Sequence, residues 1–210
     1  MIIKNILFDF DGVILDSMPI RHKGFELLFA NHPFEKVNIL LKYHEENGGL
    51  SRYHKIRYFY ENILDLSISE EEVIEHASRF SEIMRRELIN PSLLISDAVE
   101  FIKANHKRFP MHIVSGSDGN ELRFLCKKLG LDPFFISIDG SPTPKITLVN
   151  DLLQKYGYPP SETVLVGDSI NDYEAAEQNN IRFLGYRFFT SQKTEGINQL
   201  EEMSQLLKYC

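Results

Sequence analysis

The sequence predicts an α/β fold: a Rossmann-like parallel sheet with helices on both faces, plus an inserted all-helical cap domain. Three observations carry that prediction. An apolar run over residues 2–8, broken by Lys4 and Asn5, ends at Asp9 and Asp11 and reads as a buried strand. From Pro91 onward, short apolar runs alternate with helical patterns, as parallel strands joined by helices do. Between the two, residues 16–90 show helical periodicity alone. The first strand belongs with the later ones, so the core is discontinuous. Residues 1–15 and 91–210 form it, and residues 16–90 form the cap.

After Gly12, which permits a sharp turn out of the strand, the helical stretch is punctuated at Asn31-His32-Pro33 and Asn47-Gly48-Gly49. Phe25, Leu28 and Phe29 repeat at helical spacing, as do Val37, Leu40 and Leu41, and then Ile56, Phe59, Tyr60 and Ile63. Ser69-Glu70-Glu71-Glu72 reads as a capping box that opens a fourth helix through Val73, Ala77, Phe80 and Met84. Asp97 can cap the next helix, which leads to a strand at 111–114. A helix with Leu122, Leu125 and Leu129 ends at Gly130. Strands are expected at 134–138, 163–166 and 181–184, with helices over Leu148, Leu152 and Leu153 and over Ala175 and Ala176 between them. Residues 197–207 have helical spacing.

A net charge of −7, from 23 basic and 30 acidic residues, argues against nucleic acid as the partner. Cys126 and Cys210 make no disulfide framework and suit a reducing compartment. The first residues lack a basic leader, and no run approaches the ~20 apolar residues of a membrane span. A soluble, cytoplasmic protein without nucleic-acid or membrane partners is expected, as a monomer or possible dimer.

In open parallel sheets, ligands bind beyond the carboxyl ends of the strands. Each polar cluster falls at such an end: Asp9 and Asp11, Ser115 to Ser117, Lys145, and Asp168 to Asp172. Residues i and i+2 of an extended chain face one side, so Asp9 and Asp11 share a site. Their mutual repulsion calls for a cation, Mg²⁺ first. Ser115-Gly116-Ser117 either cradles a phosphate at a helix start or is a plain turn with Asp118 as N-cap and Glu121 closing a capping box. Lys145, stiffened by Pro142 and Pro144, would screen charge gathered between the aspartates and a phosphate. Asp168 suits metal ligation and Asp172, four residues on, a supporting role.

Together these residues resemble the haloacid dehalogenase (HAD) superfamily. Its motifs are an Asp-x-Asp after an apolar strand, a strand-ending Ser or Thr, a Lys before a helix and a Gly-Asp-x-x-x-Asp segment. They match Asp9-Phe10-Asp11, Ser115, Lys145 and Gly167-Asp168-Ser169-Ile170-Asn171-Asp172 in order. The helical insert resembles the subfamily of phosphoglycolate phosphatase and β-phosphoglucomutase, where it forms a mobile cap. The resemblance implies Asp9 as the nucleophile that becomes an aspartyl-phosphate, and Asp11 as general acid and then base. It implies Mg²⁺ held by Asp9, the Asp11 carbonyl and Asp168. Ser115, the Gly116 amide and Lys145 would grip the phosphoryl group, with Asp172 in support. Asp11 argues against dehalogenation, since dehalogenases lack it.

The expected activity is Mg²⁺-dependent hydrolysis of a small phosphorylated metabolite of sugar phosphate or phosphoglycolate type. A phosphomutase using the same intermediate and a non-catalytic phosphate- or partner-binding protein are the alternatives. Specificity falls to the cap. Arg52 and Lys55 share a helix face and either reach an anionic substrate or form a solvated surface. The cluster Tyr53, Tyr58, Phe59 and Tyr60 is expected in the core of the cap.

Overall fold

The structure, a computed structural model, describes residues 2–187 and 197–210. Its frame is one parallel sheet of six strands. These are β1 (Asn5–Phe8), β2 (Met111–Asp118), β3 (Ser137–Ser141), β4 (Thr163–Gly167), β5 (Arg182–Tyr186) and β6 (Asn198–Leu200). The spatial order is β3-β2-β1-β4-β5-β6. The fully buried β1 is therefore central, paired with β2 through Ile6↔Met111 and with β4 through Ile6↔Val164. The connections run to one side of β1 through β2 and to the other through β4, so a crevice opens beyond its carboxyl end.

The helices α5 (Ser96–Asn105), α6 (Gly119–Lys128), α7 (Lys145–Tyr156) and α8 (Ile170–Gln178) connect these strands. Leu7, Val114 and Leu165 pack with Val149, Leu152, Ala175 and Ala176 on one face of the sheet. Ile6, Phe8, Ile113 and Val166 pack with Ala98, Phe101, Ile102, Leu122 and Leu125 on the other. That alternation is the two-residue period of a strand buried on both sides. α7 stops at Gly157, whose φ of 65° is the left-handed conformation that glycine adopts at little cost.

Among the described residues, none of 16–90 contributes a strand to the sheet. Four helices occupy that stretch: α1 (Met18–Leu28), α2 (Phe34–Glu46), α3 (Arg52–Tyr58), which continues as a π-helical turn at Phe59–Ile63, and α4 (Glu70–Glu87). The capping box at α4 forms as expected, Ser69 Oγ accepting from the Glu72 amide and Glu72 accepting from the Ser69 amide. Phe25 packs on Phe80 with ring centroids 4.5 Å apart, and Phe29 on Phe59 at 4.2 Å. Phe59 is buried in this core, while Tyr53, Tyr58 and Tyr60 pack against it partly exposed. No helix of the described residues is long and apolar enough to cross a membrane.

Four local expectations need correction. β2 runs on to Asp118 through a shift in register between Ser115 and Asp118, rather than ending at Val114. β3 starts at Ser137, because residues Asp132–Phe134 turn as a short 3-10 helix first. Asp97 is not the N-cap of α5, a place Ile95 takes: its carboxylate accepts from Tyr186 Oη (2.7 Å) and the Met203 amide (3.0 Å), which ties α5 to the chain end. The tail is not one helix. It adds β6 to the sheet edge beside β5 and then turns as a 3-10 helix at Met203–Tyr209.

Candidate active site

The carboxyl ends of β1, β2 and β4 and the start of α7 bring the four motif segments to one cleft. Asp9, Asp11, Ser115, Gly116, Ser117 and Asp168 line it together with Gly48, Gly49 and Leu50 from the α2–α3 loop. The space left between them is about 30 Å³. A side chain on Gly116 would collide with the Gly49 carbonyl, so the two loops lie in direct contact. Gly116→Ala is therefore expected to unseat the α2–α3 loop. It should lower kcat/KM by about 10²-fold while leaving the melting temperature nearly unchanged. Steady-state kinetics beside a thermal melt check this, and an unaltered kcat/KM would contradict it.

Asp9 is buried at the end of β1, its amide donating to the Val166 carbonyl (2.9 Å). Lys145 Nζ lies 2.9 Å from Asp9 Oδ1 and also pairs with Asp172. Burial would lower the lysine pKa, but Asp172 and Asp9 hold it above the ordinary lysine value. Asp172 is fully committed. Beyond Lys145, its Oδ2 accepts from the amides of Asp168 (3.2 Å) and Ser169 (3.0 Å) and from Ser169 Oγ (2.7 Å). Those bonds fix the β4–α8 turn. Gly167 is required beneath it, since a Cβ there would strike the Asp172 side chain. Gly12, with φ 77°, turns the chain where any Cβ would collide with the Asp168 carboxylate.

Carboxylate oxygens of Asp9, Asp168 and Asp172 all lie within 4.8 Å of one another. Burial and the Asp172 charge push Asp9 up to about 7, against the pull of Lys145. Burial followed by Asp9 and Asp172 likewise raises Asp168 well above the carboxylate range. Three acids thus face one lysine in a desolvated pocket. Hard oxygen donors with surplus negative charge fit a divalent ion such as Mg²⁺. Asp9 and Asp168 are the free carboxylates for it, Asp172 being held by its amide and lysine partners.

Asp11 does not join that cluster with its carboxylate. Oδ1 accepts from Ser17 Oγ and from Arg21 Nε (2.7 Å), and Oδ2 accepts from Ser117 Oγ (2.5 Å). Burial opposes ionisation, but Arg21 and the serine hydroxyls outweigh it and hold Asp11 below the usual carboxylate pKa. Ser115 Oγ accepts from the Ser117 amide (3.1 Å), which leaves its proton free to donate. Asp118 is the N-cap of α6, accepting from the Asn120 and Glu121 amides, and Tyr53 Oη donates to it.

Arg52 and Lys55 are both buried, so they form no solvated face. Arg52 grips Glu121 through both Nη atoms (2.6 and 2.8 Å) and donates to Ser81 Oγ (2.6 Å). Glu121 closes no capping box: it is a fully buried acid shared by Arg52 and Arg21, whose Nη1 lies 3.2 Å away. Lys55 Nζ donates to His44 Nδ1 (2.9 Å) and the Gly48 carbonyl (3.2 Å). Burial and the Arg21 charge bring Lys55 down to about 7. Sequence reasoning missed Arg21, His44 and the role of Glu121. A signal existed for Arg21, a cation in register with Phe25 and Leu28 on the buried stripe of α1.

Three comparisons place this geometry. Residues 3–180 match the family described as haloacid dehalogenase-like hydrolase. A phosphoglycolate phosphatase of Aliivibrio fischeri is 26% identical over 186 residues, covering 83% of this chain and 80% of its own. The structure of a predicted phosphatase from Clostridium acetobutylicum superposes with a TM-score of 0.78 at 14% identity, covering 99% of this chain and 98% of its own. CbbY of Rhodobacter sphaeroides in complex with xylulose-(1,5)bisphosphate superposes at 0.77 with 16% identity, covering 98% and 96%. The two structures share the fold.

Proposed function

Because the chain belongs to the haloacid dehalogenase-like hydrolases, we propose that it hydrolyses the phosphomonoester of a small metabolite through an aspartyl-phosphate on Asp9. One observation carries the reading above the others. Lys145 reaches from the start of α7 to Asp9 at the end of β1 and Asp172 in the first turn of α8, and shares a cavity wall with Gly116, while Ser115 and Gly116 line the cleft that holds Asp9. That arrangement pairs an anionic nucleophile with donors for phosphoryl oxygens, as phosphoryl transfer requires. The phosphoglycolate phosphatase relative and the sugar bisphosphate complex support a small phosphorylated substrate of either type.

Asp9 would attack phosphorus as the ester P–O bond breaks, and the departing oxygen would take a proton from Asp11. Water then attacks phosphorus, gives its proton to Asp11 and releases phosphate as the Asp9–phosphorus bond breaks. Arg21 and the serine hydroxyls outweigh burial and hold the Asp11 pKa low, which favours the carboxylate that second step needs. Approach of a phosphate dianion raises its pKa and charges it for the first step. Ser115, the Gly116 amide and Lys145 hold the phosphoryl oxygens. Asp9, Asp168 and the Asp11 carbonyl would hold Mg²⁺, which when bound neutralises charge on the transferring group. Residues 16–90 act as a cap over a core of 1–15 and 91–210, and must withdraw for substrate to enter the filled cleft.

The test is phosphate release from a panel of phosphorylated metabolites, with Mg²⁺ and with EDTA. Release should fall by about 10³-fold or more on chelation and return when Mg²⁺ is added back. Undiminished release in EDTA would overturn the metal requirement. Conversion of a sugar phosphate to an isomer that keeps its phosphate would establish a mutase instead.

A further inference from the structure

We infer that Lys55, His44 and Arg21 Nη2 form a second anion subsite, which receives a carboxylate on the leaving group of the substrate. The inference rests on the phosphatase reading above. All three residues line the cleft that holds Asp9, and each is at least nine-tenths buried. Among the described residues, Arg21 Nη2 and His44 Nε2 have no hydrogen-bond partner. Leaving buried donors unmade is costly, so these point to a missing acceptor. The type of partner follows from the tautomer. His44 Nδ1 accepts from Lys55, which places the proton on Nε2 and makes it a donor. The free groups of the cluster are thus donors only.

Charge narrows the choice further. Arg21, Arg52 and Lys55 face two acids here, Asp11 and Glu121. Asp118 is spent on α6 amides and Tyr53. Arg52 is saturated by Glu121 and Ser81, so the unmatched cation is Lys55, which has no acidic partner within ion-pair distance among the described residues; burial and Arg21 bring it down to about 7, and an arriving carboxylate holds it charged. A single carboxylate balances one surplus charge, whereas a second phosphoryl dianion overshoots it. Met18, Phe25 and Phe80 wall the same cleft, and an apolar surround strengthens the attraction. The favoured substrate is therefore the phosphate ester of a compact hydroxy acid rather than of a neutral sugar.

The experiment compares kcat/KM for 2-phosphoglycolate, ethylene glycol monophosphate and 1,2-ethanediol bisphosphate in wild type, Lys55→Met and Lys55→Arg. Wild type should favour the acid over the neutral ester by about 30-fold, the worth of one charge-assisted hydrogen bond. In Lys55→Met that ratio should collapse toward one, and Lys55→Arg should restore part of it. Equal losses on acid and neutral ester would overturn the proposal, since Lys55 would then serve the transferring phosphoryl group or the fold. Preference for the bisphosphate would overturn the carboxylate assignment. Calorimetric titration with glycolate reads the subsite without turnover. Binding at least tenfold tighter to wild type than to Lys55→Met is expected, and equal or absent binding overturns the subsite even in an active phosphatase. A protein that binds glycolate and hydrolyses no ester would overturn the phosphatase reading alone.

Discussion

Asp9→Asn is expected to lower phosphate release by on the order of 10⁵-fold, the loss typical of removing a nucleophile. The substitution keeps the shape of the side chain and removes its charge. Asp9 is buried beside Asp168 and Asp172, and burial, followed by repulsion from Asp172 and Asp11, is what raises its pKa. Neutralising it relieves that repulsion, so the metal-free variant should melt no lower than the parent. An inactive but equally stable protein separates loss of chemistry from loss of fold. Retained turnover in Asp9→Asn would remove Asp9 from the mechanism.

The largest effect on stability is expected at Glu121. Its buried carboxylate is the shared partner of Arg52 on α3 and Arg21 on α1, and it links both helices to α6. Glu121→Ala leaves two buried guanidinium groups facing each other without it. Breaking such a pair from one side costs about 3–5 kcal/mol, or roughly 10 °C in the melting temperature of a chain this size. Replacing Arg52 by Met in the same protein should return part of that loss, because it removes one of the two unpaired buried charges. Urea unfolding of the single and double variants measures both terms. A single variant within about 1 kcal/mol of the parent would show that the network does not hold the helices to the sheet.

The parts of the site that were legible in the sequence are those whose position follows from the backbone. Asp9 and Asp168 follow apolar strands, Ser115 lies past the apolar part of β2 and Lys145 opens the helix after β3, and a parallel sheet delivers such residues to one edge. The helices of residues 16–90 were legible from periodicity and from the Ser69 capping box. The polar contacts between these helices and the sheet were not. Glu121 stands at a capping-box position and reads locally as a cap, yet its partners are 69 and 100 residues away. Asp97 was misread for the same reason, its partners being Tyr186 and Met203. β6 was hidden because three residues pair with β5 inside a segment whose spacing also suits a helix. Long-range pairing decided each case, and local pattern carries no record of it.

The central claim is a covalent phosphate on Asp9, and acid quenching with ³²P-labelled substrate tests it most directly. Wild type should retain acid-stable label that hydroxylamine removes, and Asp11→Asn should retain more of it from p-nitrophenyl phosphate, whose leaving group needs no proton while water attack lacks its base. The label should map to the peptide carrying Asp9 and be absent from Asp9→Asn. Rapid phosphate release with no label on the protein, together with turnover in Asp9→Asn, would contradict the account.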